Sequence, residues 1–294
     1  MNIMKWRYHV IFFSIFLLSI SIGSLIINGV RPSIDFTGGS LLEIQSTKIS
    51  GENSSELKEQ VKDFFEVSVI QQTQNDSVIL RGNFIDNETK VKVLEKLREQ
   101  DADLVELRFT TIGPTFGREI LIKMLVAVAI VAVAILMYVW YQFSQISFGV
   151  SAIIAMFHDT LIVLGAFSLF GYFFGVEIDI LFVTALLTTL AFSVHDTIVV
   201  FDRIRELRRK HRTIEFATVV NTAVTETLGR SVNNSVTVML MLLSLTLLGG
   251  DTIRWFVAAL LIGVTTGTYS SSFLAAPLLV VWDDLRIWRK QRKK

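Results

Sequence analysis

Cysteine is absent from the 294 residues, which excludes a disulfide, a thiolate nucleophile and any cysteine-based metal site. Proline occurs only three times, so long helices can run without interruption. The chain has no GxxxxGK[ST] phosphate loop, no metal-ligand cluster and no nucleophile beside a base, so it is expected to hold no cofactor or metal and not to be an enzyme. Charge is scarce at 19% and nearly balanced at +1, while 51% of residues are hydrophobic. That is too apolar for a soluble domain, and the apolar residues are gathered into long blocks.

Six blocks are near the ~20 residues needed to cross ~30 Å of hydrocarbon: residues 10–27, 120–141, 148–174, 178–201, 232–248 and 255–282. The first follows Lys5 and Arg7 as a secretory signal would, but it is long and lacks a small-residue cleavage site, so it reads as a retained anchor. Basic residues then fix orientation. Lys5 and Arg7, the run from Arg203 to Arg212, and the run from Arg286 to Lys294 fall on one side if all six blocks span, while the loops near Glu177 and Asp251 hold almost none. The expected domains are a cytoplasmic N-terminus and first helix (1–30), an extracytoplasmic domain (31–119), helices two to six (120–282) with a basic cytoplasmic loop near 202–229, and a basic cytoplasmic tail (283–294). Both termini are then cytoplasmic, and the basic segments meet anionic lipid, not nucleic acid.

Between the first two spans the pattern is that of a small soluble domain. Strands are expected at 41–45, 67–71, 77–81 and 104–109, and helices at 54–66 and 88–100. Ser54 or Ser55 caps the first helix, Leu57, Val61 and Phe64 or Phe65 form its inner face, and Val91, Leu94 and Leu97 form that of the second. A turn at 74–76 joins the middle strands. The order βαββαβ is that of the ferredoxin-like split βαβ unit, so the fold class is a six-helix polytopic membrane protein with a small α+β extracytoplasmic domain.

Two carboxylates interrupt the spans. An ionised carboxylate at membrane depth costs about 2.5–3.5 kcal/mol on insertion scales, so Asp196 and Asp159 are candidates for moving or sensing charge. Asp196 lies five residues before the apolar end of its span and Arg230 just before the start of the next, so the two are expected to meet at similar depth. Ser231, Asn233 and Asn234 are placed to hydrogen-bond both, and His195 adjoins. Burial raises an aspartate pKa and a nearby arginine lowers it, so a changing Asp196 to Arg230 distance would load and release a proton; a structural ion pair is the alternative. Asp159, with His158 beside it, is either a relay member or a polar packing contact. Asp202 sits at the surface, in reach of Arg205. Elsewhere, Gly263 and Gly267, extended by Thr268, Ser270, Ser271 and Ser272, form a small-residue strip for close helix packing, against either this bundle or a partner. Asp35 opens the stretch DFTGG, where Gly38 and Gly39 permit a sharp turn; Gly113, Pro114 and Gly117 do the matching job before span two, giving two joints.

DFTGG at 35–39, IGPTFGREI at 112–120, HDTIVVFDRIRE at 195–206, GRSVNNS at 229–235 and GVTTGTYSSS at 263–272 together resemble the SecF family, membrane subunits that partner SecD in bacterial protein export and belong to the resistance-nodulation-division superfamily. The resemblance covers essentially the whole chain. It departs at His195, where asparagine is expected, and at Asn234, where threonine is usual, which leaves the part of His195 in a proton path open. It implies a subunit of the cytoplasmic membrane that uses the proton motive force with SecD to promote export. Its implied partners are a SecD-like subunit, the SecYEG channel with SecA and a YajC-type subunit, the exported polypeptide and the bilayer. It also implies a pivot of the outside domain about its joints. Two other readings are a stand-alone small-molecule exporter, which would be expected to duplicate both spans and domain, and a passive scaffold.

Overall fold

Six helical stretches among the described residues are long and apolar enough to cross a membrane. The structure, a computed structural model, describes residues 3–46, 54–72, 77–143 and 145–292, excepting the side chains of 54–56 and 251–252. The expected turn at 74–76, the capping side chains of Ser54 and Ser55, the Asp251 side chain and Lys293 and Lys294 lie outside these. The chain divides into two compact units, Pro32–Val126 and Met1–Arg31 with Ala127–Lys294.

After a 3-10 turn at Ile3–Trp6, helix α1 runs Arg7–Asn28. Its packing is inside-out for a soluble protein: Ser14, Ser21 and Ser24 are buried, whereas Phe12, Ile15, Phe16 and Ile26 are exposed. Small polar residues inside and bulky apolar ones outside are what hydrocarbon selects, since close backbone approach drives helix association there. The partner is α6 (Ile146–Phe174), where Ser24 donates to Ser168 at 2.9 Å and a side chain added at Gly165 would overlap Ser21.

Helix α5 (Pro114–Gln142) starts on its proline and is exposed along most of its length. Helices α7 (Ile180–Lys210), α8 (Phe216–Leu248) and α9 (Asp251–Ser270) pack together with α6; α9 passes through a π-helical segment, Ser271–Ala275, into α10 (Ala276–Gln291). One apolar core gathers Met156, Leu190, Val194, Phe201, Ile204, Val220 and Leu279; a second gathers Val163, Phe167, Phe182, Leu186 and Ala259. Between the two cores, His158 and Asp159 are buried on α6, and Thr189, Ser193 and Thr197 are buried on α7 beside Leu190 and Val194.

The expected basic loop at 202–229 is instead a helical hairpin. Helix α7 continues to Lys210 and α8 begins at Phe216, leaving a turn at 211–215. Hydropathy falls after Phe201, but the helical period does not: Ile204 and Leu207, then Val219, Val220, Ala223 and Val224, stay buried. Arg203 bridges the two helices to Glu226 at 2.6 Å, and Lys210 pairs with Glu206 at 2.7 Å.

In the other unit a short helix α2 (Ile34–Thr37) leads into strands and helices in the order β1 (Gly39–Gln45), α3 (Ser54–Val61), β2 (Val67–Gln72), β3 (Ser77–Gly82), α4 (Asn87–Arg98) and β4 (Val105–Ile112). The sheet is antiparallel, ordered β2-β3-β1-β4. Its core holds Leu42, Ile44, Val61, Phe65, Leu80, Val93, Leu94 and Leu97. Val91, expected inside, is 49% exposed, and Val93 takes its place. Steps of three fall short of a full turn, so Val91 and Leu97 lie about 120° apart, and a face built on Leu94 and Leu97 reaches Val93 first.

This core is complete within the unit, so residues 31–117 expressed alone are expected to melt cooperatively with mixed helix and strand circular dichroism. Asp86 caps α4 by accepting from the Thr89 backbone N–H at 2.9 Å, which holds its carboxyl below the usual value of 3.8. A depressed carboxylate stabilises above its unfolded pKa and ceases to do so as pH falls through its folded one. Asp86→Ala is therefore expected to lower the melting midpoint at pH 7, by an amount that shrinks in acid.

Candidate functional site

The polar layer of the bundle is built by side chains at helical repeats. On α7, Thr189, Ser193 and Asp196 stand at i, i+4 and i+7; on α9, Gly263, Gly267 and Ser270 stand at the same spacing. A side chain added at Gly263 would overlap that of Thr189, and one added at Gly267 would lie 3.2 Å from the Ser193 backbone. Both pairs have one offset, 263 − 189 = 267 − 193 = 74, so α7 and α9 run parallel in register. The small-residue strip is thus packed against α7 of the same chain. The same register carried one turn further brings Ser270 and Ser271 to the level of Asp196.

Asp196, half-buried, is held by hydroxyls. Ser231 Oγ on α8 lies 2.7 Å from each of its oxygens, and Ser271 Oγ donates to Oδ2 at 2.6 Å. Asp159 on α6 is buried, and its Oδ2 accepts from Ser193 at 2.5 Å and Ser270 at 2.6 Å. Its Oδ1 lies 3.0 Å from Nδ1 of His158. One turn along α8 from Ser231, Ser235 accepts from Thr268 at 2.6 Å, tying α8 to α9. The consecutive Ser270 and Ser271 therefore serve one carboxylate each, at the entry of the π segment. Such segments carry an extra residue per turn and recur at functional sites.

The expected Asp196 to Arg230 contact is not formed. Arg230 is exposed and makes no ion pair within 4 Å among the described residues. Ser231 occupies the inward position of α8, and its neighbour points about 100° away. For the same reason His195, next to Asp196, faces outward, and Asn233 and Asn234 are exposed. Of the supporting polar residues expected here, only Ser231 reaches Asp196. Asp202 is exposed and pairs with Arg205 at 3.2 Å. Sequence reading missed Ser193 and Ser270 as donors to Asp159. The signal was available: hydroxyls on a small-residue face inside an apolar span need partners within the bundle.

The two joints are one junction. Ser33 caps α2 by accepting from the Asp35 N–H at 3.2 Å, and Gly38 and Gly39 follow at φ +72° and +123°. A Cβ at Gly38 would stand 2.5 Å from Pro114 Cα, and one at Gly117 2.6 Å from the Gly38 nitrogen. Gly113, by contrast, has open space around it and no left-handed backbone, and closes the first turn of α5 through its carbonyl to the Gly117 N–H at 3.0 Å.

The model of the protein export membrane protein SecD/SecF C-terminal region matches residues 92–284, and that of the SecD/SecF GG motif matches residues 23–48. The chain belongs to the SecD/SecF family. Among curated members of that family, protein translocase subunit SecF of Thermobaculum terrenum is 42% identical over 98% of this chain and 97% of its own length. That of Anaerolinea thermophila is 40% identical over 100% and 98%. The crystal structure of SecDF, a translocon-associated membrane protein from Thermus thermophilus, superposes with a TM-score of 0.86 at 33% identity, covering 97% of this chain and 39% of that one. The chain therefore spans well under half of that SecDF chain. SecD/SecF membership assigns the GG motif to the Gly38 and Gly39 junction, and places the whole polar layer inside the matched C-terminal region.

Proposed function

We propose that this chain is a SecF-type accessory subunit of the Sec protein translocase in the inner membrane, acting with a SecD-type subunit and driven by protons that load Asp196. The observation that carries the coupling is the ligation of Asp196: hydroxyl donors on two helices, and no cation within ion-pair distance among the described residues. A hydroxyl donates to an ionised carboxylate and accepts from a protonated one, so this shell tolerates both forms. With Arg230 turned away the carboxylate is met by hydroxyls alone; an inward Arg230 would set a cation beside it. Movement of α8 relative to α7 then becomes proton uptake and release. Each proton is worth about 2.3 kcal/mol per 100 mV of membrane potential.

Basic residues at both ends and in the α7–α8 hairpin support reading these as cytoplasmic and the α+β unit as outside. Its βαββαβ order and β2-β3-β1-β4 sheet support reading it as a ferredoxin-like extracytoplasmic domain, rooted in the Gly38, Pro114 and Gly117 junction and moved as one body on an exporting chain. SecYEG, with SecA and a YajC-type subunit, is the expected assembly.

His195, Arg230, Asn233 and Asn234 are exposed on helices that cross the membrane. Polar groups facing hydrocarbon are costly, so this face is the one we assign to the SecD-type partner. The cysteine-free chain makes the test direct. A single cysteine at Asn234 is expected to cross-link to a co-expressed SecD-type subunit, and one at the exposed Ile26 of α1 is not; equal cross-linking from both would remove the assignment. The coupling reading is tested by export into inverted vesicles with and without a proton gradient.

A further inference from the structure

His158 is the one buried histidine the proton reading of Asp196 leaves unused. It is 3% exposed, its Nδ1 meets Asp159 at 3.0 Å, and its Nε2 is buried without a hydrogen-bond partner among the described residues. We propose that His158 and Asp159 form a second protonation site of the bundle, coupled to Asp196 through the consecutive hydroxyls of Ser270 and Ser271. This deepens the reading of Asp196 as the proton-loaded group and rests on it.

Asp159 accepts from Ser193 and Ser270 through Oδ2, and from His158 through Oδ1. An ionised carboxylate only accepts, so Nδ1 carries the hydrogen and Nε2 is a bare base enclosed in the bundle. In that state the pair bears one negative charge. One added proton makes it neutral. The proton binds Nε2; the resulting imidazolium passes its Nδ1 hydrogen to Oδ1, leaving neutral imidazole and carboxylic acid, with atoms and charge conserved.

The groups around the pair include no cation among the described residues. Helix α7 presents Ser193 and, at its next inward position, Asp196; α9 presents Ser270 and Tyr269, whose hydroxyl is engaged with Ser14 of α1. On α10, Asp284 is paired with Arg7, and no Lys or Arg among the described residues lies within 4 Å of Asp159. Protonating Asp159 removes the anion to which Ser270 donates and so loosens its hold on the entry to the π segment. Ser271, the next residue, holds Asp196. The two carboxylates on α6 and α7 are thus read by adjacent residues of one segment.

The test is a pH titration of the full chain in lipid nanodiscs, followed by the infrared stretching bands of protonated carboxyl groups. Wild type is expected to show separate bands for Asp159 and Asp196. Asp159→Asn should delete one, and Asp196→Asn the other. His158→Gln, which removes the adjoining base, should keep the Asp159 band and shift its midpoint. Ser270→Ala should shift both midpoints, because one hydroxyl segment serves both groups. A spectrum unchanged by Asp159→Asn, or an Asp159 midpoint indifferent to His158→Gln, would overturn the proposal. An Asp196 midpoint untouched by Ser270→Ala would overturn the coupling. If instead Asp196→Asn deletes nothing while Asp159→Asn does, the reading of Asp196 fails and the second site stands alone. Should Asp159→Asn fail to fold, His158→Gln and Ser270→Ala keep both carboxyls and decide between the same outcomes.

Discussion

Gly263→Leu is expected to be the most damaging single change in the bundle. A side chain at this position would overlap the β-branched Thr189, which has no long flexible end to move aside. Overpacking of this kind costs about 1–3 kcal/mol and occasionally more. The cost here also propagates, because α9 displaced from α7 carries Ser270 and Ser271 away from Asp159 and Asp196. Gly267→Leu meets backbone at 3.2 Å and is expected to do less. A double-mutant cycle separates packing within the chain from packing against a partner: Thr189→Gly should relieve much of the loss caused by Gly263→Ala, as measured by thermal unfolding in detergent. If Gly263→Leu left the isolated chain as stable as wild type and abolished only partner binding, the strip would face outward and the α7–α9 register would be wrong.

The number and order of the membrane helices could be read from the sequence because lipid demands apolar blocks of a set length, and nothing else in the chain imitates that signal. The helix ends could not, since hydropathy reports where hydrocarbon stops and periodicity reports where the helix stops. At Ile204 and Leu207 these disagree, and α7 continues for nine residues beyond Phe201, to Lys210. The strand and helix order of the α+β unit followed from alternation and capping, with Val91 misplaced by a helical phase error. At the site, Asp196 and Asp159 stood out because charge in an apolar span is expensive. The partner of Asp196 did not, because sequence proximity gives depth and not direction around the helix; Ser231, one position from Arg230, is the residue that faces inward. Ser271 was even less legible, since it opens a π segment that shifts the phase of everything beyond it. The union of the DFTGG and IGPTFG stretches into one junction is a tertiary contact between segments far apart in the chain, as for Gly38 and Pro114 with 114 − 38 = 76.

Asp196→Asn is expected to remove the response of export to the membrane potential while leaving the chain inserted and complexed. Asparagine keeps the shape of the side chain and can still bond Ser231 and Ser271, but it cannot titrate. Arg230→Ala is expected to abolish the response as well, since no cation then returns to drive the proton off. Its exposed position predicts little loss of stability in the isolated chain, unlike the about 3–5 kcal/mol for breaking a buried pair. A scaffold role predicts instead that Asp196→Asn leaves the response to the gradient unchanged. The deciding measurement is export into inverted membrane vesicles with and without a proton gradient, comparing wild type with Asp196→Asn. The account predicts gradient-stimulated export for wild type and equal, low export under both conditions for the variant; a variant stimulated as strongly as wild type would contradict it.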